Sequence, residues 1–151
     1  MTVTVEKGDP RDPQATALLQ ASHALMQDLF TAESNHYLSI DELCVPEITF
    51  FVARGAGQIL GTAALANKGT YGEIKSMFVS PDARGTGAGT ALMTRIETEA
   101  RTSNLPALRL ETGDALRAAH RLYQSHGFTV CGPFGDYQND PQSLFMEKLL
   151  T

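Results

Sequence analysis

The segment IKSMFVSPDARGTGAGT, residues 74–90, restricts the possible folds more than any other part of the chain. Residues 74–79 carry β-branched and aromatic side chains with no breaker among them, the composition of a strand. Ser80, Pro81 and Asp82 end it, because proline has no N–H for the ladder and aspartate favours turns. Gly85, Gly87 and Gly89 then let the backbone bend sharply, and a helical pattern starts near Gly87. A strand that runs through a glycine-rich turn into a helix makes an anion site. Its free N–H groups point outward and the helix dipole favours negative charge. Arg84 adds a forked cation at the rim. The expected ligand carries phosphate.

Spacing separates the known phosphate loops. No lysine follows the last glycine, which excludes a Walker A loop. The glycines are spaced G-x-G-x-G rather than G-x-G-x-x-G, and the turn lies in mid-chain without tandem βαβ units. Both facts count against a dinucleotide fold, although Glu111 could imitate its acidic ribose ligand. A glycine-rich surface loop without a ligand is the plain alternative.

The rest of the chain supplies the context. Residues 2–6 alternate, with Val3 and Val5 on one face, as a short first strand. Asp12 and Pro13 are an N-cap and a first helical position, and apolar spacing from Leu18 carries that helix to about Phe30. Glu33 to Tyr37 form a polar cluster. Ser39 with Glu42 is a capping box that predicts a short second helix through Leu43. Residues 49–54 and 58–66 flank a Gly-Ala-Gly turn; with a fourth strand opening at Glu73 they predict an antiparallel meander. Ala88, Ala91, Leu92, Ile96 and Ala100 stripe a third helix. Residues 107–112 read as a fifth strand, parallel to the fourth because a helix joins them. Asp114 is the expected N-cap of a fourth helix, with Ala115, Ala119, Leu122, Tyr123 and His126 on its apolar face. Gly127 is its left-handed cap. Residues 128–131 and 143–149 are the last strands, separated by a turn-rich loop.

AHRLYQSHGF, residues 119–128, has the form A-x-x-x-Y-x-x-x-G-F. Together with Arg84-x-x-Gly87-x-Gly89 after a strand, it resembles the paired signatures of the GNAT N-acetyltransferases. The resemblance implies one α+β domain over residues 1–151, an α/β/α sandwich with about four helices. Its sheet would be mixed, mostly antiparallel and seven-stranded, with strands 4 and 5 parallel and splayed. It implies acetyl-CoA as cofactor, its pyrophosphate on Arg84, Gly85, Thr86, Gly87, Ala88, Gly89 and Thr90. The pantetheine would lie along Met77, Phe78 and Val79, with the Phe78 N–H facing the thioester carbonyl. Tyr123 would lie near the sulfur and protonate the thiolate. Glu73 is the first choice of base, with Glu111 and His36 as rivals. The implied reaction is direct transfer of acetyl to a small-molecule amine in a ternary complex. A protein or peptide amine, and a non-catalytic acyl-CoA-binding module, are the alternatives.

A narrower resemblance, to small bacterial GNAT proteins, rests on a Gly-Pro-Phe-x-x-Tyr…Asp-Pro-x-Ser-x-Phe-Met ending and a Ser-x-His loop after the first helix. It implies that His36, Glu111 and Tyr137 line the acceptor pocket. Lys75, on the strand face of Glu73, suggests an acceptor bearing a carboxylate. Dimers are frequent in that family, which admits a homodimer here.

Composition narrows the partners. A net charge of −5 without a basic block argues against nucleic acid and anionic membranes. Cys44 and Cys131 are isolated, without disulfide framework or metal spacing, and no metal is expected. Residues 1–7 lack the apolar core of a secretory leader and no apolar run is long enough to span a bilayer, so the cytoplasm is the expected location.

Overall fold

A computed structural model describes residues 2–150. These residues form seven strands: β1 (Thr4–Lys7), β2 (Ile48–Gly55), β3 (Gln58–Asn67), β4 (Gly72–Val79), β5 (Ala107–Gly113), β6 (Thr129–Cys131) and β7 (Ser143–Leu149). They make one sheet in the order β1-β2-β3-β4-β5-β7-β6. Only β4 and β5 pair in parallel; the other pairs are antiparallel. Three α-helices accompany the sheet: α1 (Pro13–Leu29), α2 (Ala88–Thr102) and α3 (Arg117–Ser125). None of them is long and apolar enough to cross a membrane.

Alternation along the strands builds a three-layer packing. Phe50, Val52 and Ala64 join Ala15 and Leu19 of α1 on one face. Their neighbours Phe51, Ala53 and Ala63 join Leu92 and Ile96 of α2 and Tyr123 of α3 on the other. The first helix starts as its residues dictate: Pro13 occupies the first turn and the Asp12 carboxylate accepts from Gln14 N at 3.0 Å. Between β2 and β3, Ala56 and Gly57 both have positive φ, 51° and 76°, as a two-residue hairpin turn requires.

Two expected helix features come out differently. The capping box forms, with Ser39 N donating to Glu42 Oε1 at 2.9 Å and Glu42 N to Ser39 Oγ at 3.1 Å. It nevertheless starts only a single 3₁₀ turn, Glu42–Cys44, so the described residues form three α-helices rather than about four. Val45 precedes Pro46, and a residue before proline is pushed into extended backbone; here its φ is −88° and ψ 155°. Nor does Asp114 cap the last helix, which starts at Arg117. Residues 113–116 close a turn before it, Leu116 N donating to Gly113 O at 3.1 Å, while Asp114 N donates to Gln142 O at 3.0 Å across the sheet end. The far end of α3 follows the rule. Gly127, at φ 90°, donates to Gln124 O and Phe128 donates to Tyr123 O, a Schellman closure that lays the Phe128 ring against Tyr123.

One irregularity positions the site. Thr62 faces Phe78 but Ala64 faces Lys75, so β4 carries one residue too many. Ser76 absorbs the excess at φ 54°, and Thr62 Oγ1 donates to Ser76 O at 2.9 Å to hold it there. The bulge swings Met77 to the face of Ile74, away from Glu73 and Lys75. Pairing between β4 and β5 ends at Ile74 and Leu110, and beyond that point the two strands separate.

Candidate active site

At the far end of β4, the main chain of residues 84–90 forms the expected anion turn. Gly85 and Gly87 have φ of 82° and 89°, and a Cβ on either would meet nothing within 4 Å. These two positions need glycine for conformation. Gly89 needs it for packing, because a Cβ there would sit 3.1 Å from Leu122 of α3. The Thr86 amide is tied to Ala83 O at 3.2 Å, and the Ala88 amide leans on Thr86 Oγ1 at 3.4 Å. The amides of Gly85, Gly87, Gly89 and Thr90 have no acceptor among the described residues; the first helical bond is Ala91 N to Gly87 O. Arg84 is exposed beside them. Four unsatisfied donors at the start of a 15-residue helix suit a pyrophosphate.

The edge of β4 that β5 abandons leads from this turn into the fold. Ser80 N donates to Leu60 O, and the Phe78 carbonyl points at Gly61. By the two-residue alternation of an antiparallel ladder, Phe78 therefore turns its N–H toward β3. The amides of Met77 and Val79, rather than that of Phe78, fall on the parted side.

Between the parted strands lies a cleft of about 110 Å³, with Ser76 and Met77 on one wall, Glu111 and Thr112 on the other, and Tyr123 at its foot. Tyr123 is 5% exposed, and its hydroxyl is held protonated far above the usual range by burial and by the charge of Glu111. Glu111 accepts from Ser143 Oγ at 2.8 Å. Burial raises its carboxyl above the ordinary range; Ser143, His36 and Lys75 work against that rise and Glu73 adds to it.

A larger open groove of about 1230 Å³ meets the cleft. Glu73 and Lys75 sit on its floor as an ion pair of 3.4 Å, their side chains only 6% and 10% exposed. Tyr137 OH donates to Glu73 Oε2 at 2.5 Å, and Lys75 Nζ donates to Tyr137 OH and to His36 O, each at 2.9 Å. Lys75 Nζ thus makes two hydrogen bonds and an ion pair within the fold. The His36 ring stands edge-on to Tyr137 at 5.2 Å. His36, Tyr37 and Lys75 line both spaces and form the passage between them. The structure thus gathers Glu73, Lys75, His36, Tyr137, Glu111 and Tyr123 around one junction. Residues 84–90 lie at the distant end of the β4 edge.

Sequence reasoning missed the residues that brace this junction. Ser34 Oγ donates to Asp140 Oδ2 at 2.5 Å, and Thr31 N to Gln142 Oε1 at 3.1 Å. Ser34 and Asp140 stand inside the Ser-x-His and Asp-Pro-x-Ser motifs, but nothing in either motif says that the two meet. Arg109 was missed as well; its guanidinium lies 4.8 Å over the Tyr71 ring and 5.9 Å over Phe134, fixing the aromatic wall behind Tyr137.

Parting two parallel strands at a bulge frees main-chain groups for an extended ligand, and the turn beyond receives its anionic end. That combination is the one expected of an acyltransferase that uses acyl-CoA, as the resemblance to the GNAT N-acetyltransferases implies. The Acetyltransferase (GNAT) family profile matches residues 16–128. An IAA acetyltransferase of Azospirillum brasilense is 45% identical over 150 residues, 98% of each chain. A Klebsiella pneumoniae structure assigned to the acyl-CoA N-acyltransferases superposes with a TM-score of 0.83 at 30% identity, covering 99% of both chains. The Salmonella typhimurium protein YncA, solved with acetyl-CoA, shares the fold with a TM-score of 0.74 at 22% identity, over 100% of this chain and 95% of that one. This chain belongs to the GNAT family: it is an N-acetyltransferase.

Proposed function

We propose that the chain moves the acetyl group of acetyl-CoA directly onto a primary amine of a small, positively charged molecule. The observation that carries this reading is the junction at His36, Tyr37 and Lys75, where an open groove and the cofactor cleft meet. An acceptor entering by the groove reaches the acyl group without an enzyme-bound intermediate. Neither Cys44 nor Cys131 lines the cleft to offer a thiol. The groove's charge favours a cation: Glu33, Glu42, Glu47, Asp136 and Asp140 line it against Lys68, while Glu73 and Lys75 pair with each other.

Bound acetyl-CoA supplies the activated acyl group. The amides of Gly85, Gly87, Gly89 and Thr90, with Arg84 and the hydroxyls of Thr86 and Thr90 nearby, hold the pyrophosphate. The Met77 and Val79 amides hold the pantetheine arm in the manner of an added strand. Glu111, rather than Glu73, takes the proton from the acceptor ammonium. One Glu111 oxygen is steadied by Ser143, and its raised proton affinity suits a base working near neutral pH. Glu73 would have to break its pair with Lys75 to do the same work. It acts with Lys75 and Tyr137 as a rigid floor that orients the acceptor. Tyr123 keeps its proton for the sulfur that departs. The test is thiol release from acetyl-CoA across a panel of alkylamines, amino sugars and polyamines. Turnover should be fastest with the polycationic members. Calorimetric binding of coenzyme A without acetylation of any amine would overturn the reading and leave a non-catalytic acyl-CoA-binding module.

A further inference from the structure

The Ser-x-His and Asp-Pro-x-Ser motifs lie far apart in sequence and meet in space. Ser34 and Asp140 are 106 residues apart, yet Ser34 Oγ donates to Asp140 Oδ2. The other carboxylate oxygen of Asp140 accepts from Gln142 N at 2.8 Å, and its carbonyl accepts from Ser143 N at 3.0 Å. Gln142 completes a second tie, taking Thr31 N on its side-chain oxygen and Asp114 N on its carbonyl. Ser143 in turn donates to Glu111. Neither joined residue lies in a strand or an α-helix, and each segment carries a residue that lines the groove, His36 on one and Tyr137 on the other. Ser34 lines the cleft and Asp140 the groove, so their hydrogen bond spans the wall between the two spaces.

We propose that Asp140 is the positioning residue of the acceptor site: through Ser34 and Ser143 it sets His36, Tyr137 and Glu111 relative to one another. This rests on the reaction proposed above. The bonds from Ser34 and Gln142 hold the Asp140 carboxyl below the usual range, so the clasp is charged and closed at neutral pH. Glu111 faces His36, Lys75, Glu73 and Tyr123, and the Ser143 hydroxyl is the neutral donor that steadies its charged form.

Two readouts test it, one of them independent of the acceptor. In the coenzyme A complex, the Glu111 carboxyl is titrated by ¹³C NMR in wild type, Asp140→Asn and Ser143→Ala. Ser143→Ala should raise the midpoint by about half a pH unit or more, as expected when a hydrogen bond to the charged form is lost, and Asp140→Asn should move it the same way, because the segment that carries Ser143 is then less firmly tied to Ser34. With spermidine as acceptor, Ser34→Ala, Asp140→Asn and the double variant should each raise the spermidine KM about tenfold with unchanged coenzyme A affinity. Because the two residues act as one contact, the double variant should be no worse than either single one. Ser34→Thr, which keeps the hydroxyl, should restore the KM. A Glu111 midpoint unmoved in Asp140→Asn overturns the proposal, and so do additive KM effects or a lowered Tm with unchanged KM. A wild-type protein that acetylates no amine overturns the reaction instead, while the Glu111 titration still decides the clasp.

Discussion

Tyr123 and Glu111 show how far a residue's role can be read from its letter. The Tyr123 position is legible in the A-x-x-x-Y-x-x-x-G-F motif because the Schellman closure at Gly127 ties the tyrosine to the end of its own helix. What the motif cannot show is its solvent exclusion, which comes from the cleft walls. Replacing Tyr123 with Phe should lower kcat at least about tenfold while leaving coenzyme A affinity nearly unchanged, measured by single-turnover kinetics and calorimetry. The sequence reading puts Glu73 ahead of Glu111, because neither its ion pair with Lys75 nor the bond it accepts from Tyr137, 64 residues away, is written in the motif. The pH profile separates them. The raised Glu111 carboxyl stays protonated further up the pH scale, so a base at this position loses activity as pH falls through that raised value. The acid limb of kcat/KM should therefore lie above the ordinary carboxylate range. Glu111→Gln should abolish that limb and cut kcat by roughly 10²-fold. Glu73→Gln should keep the limb and raise the acceptor KM.

Local rules predict an element where no distant atom competes for its ends. The β2–β3 hairpin, the Asp12 cap and the Gly127 closure are local and come out as read. The expected cap at Asp114 is lost because residues 113–116 close a turn first, Leu116 N donating to Gly113 O, and the helix starts only at Arg117. The bulge at Ser76 is likewise silent in sequence, since serine at positive φ carries no marker. Gly113, where β5 ends, is a packing constraint that composition hides. A Cβ there would fall 2.0 Å from the Phe30 ring at the end of α1. Gly113→Ala should cost about 1–3 kcal/mol in urea unfolding, as overpacked sites do, and should displace Phe30 from the cleft wall. Unchanged stability would mean that the two elements do not pack this closely.

Across the whole molecule, strand order and the acidic groove could not be read from periodicity. The order β4-β5-β7-β6 places the 132–141 loop over the face that α1 leaves open, and this brings Tyr137 to Glu73. A net charge of −5 says nothing of where the acids gather; the fold collects six of them along one groove. A cationic acceptor drawn by that field should show a KM that rises with ionic strength, about severalfold between low and physiological salt, with kcat little changed. A salt-independent KM would assign the acids to solvation alone. Whether the turn after β4 and the parted edge of β4 hold acetyl-CoA is decided by a crystal structure with coenzyme A. The pyrophosphate is expected on the amides of Gly85, Gly87, Gly89 and Thr90, and the pantetheine bonded to Met77 and Val79 between β4 and β5. Coenzyme A ordered elsewhere, with that crevice empty, would contradict this placement.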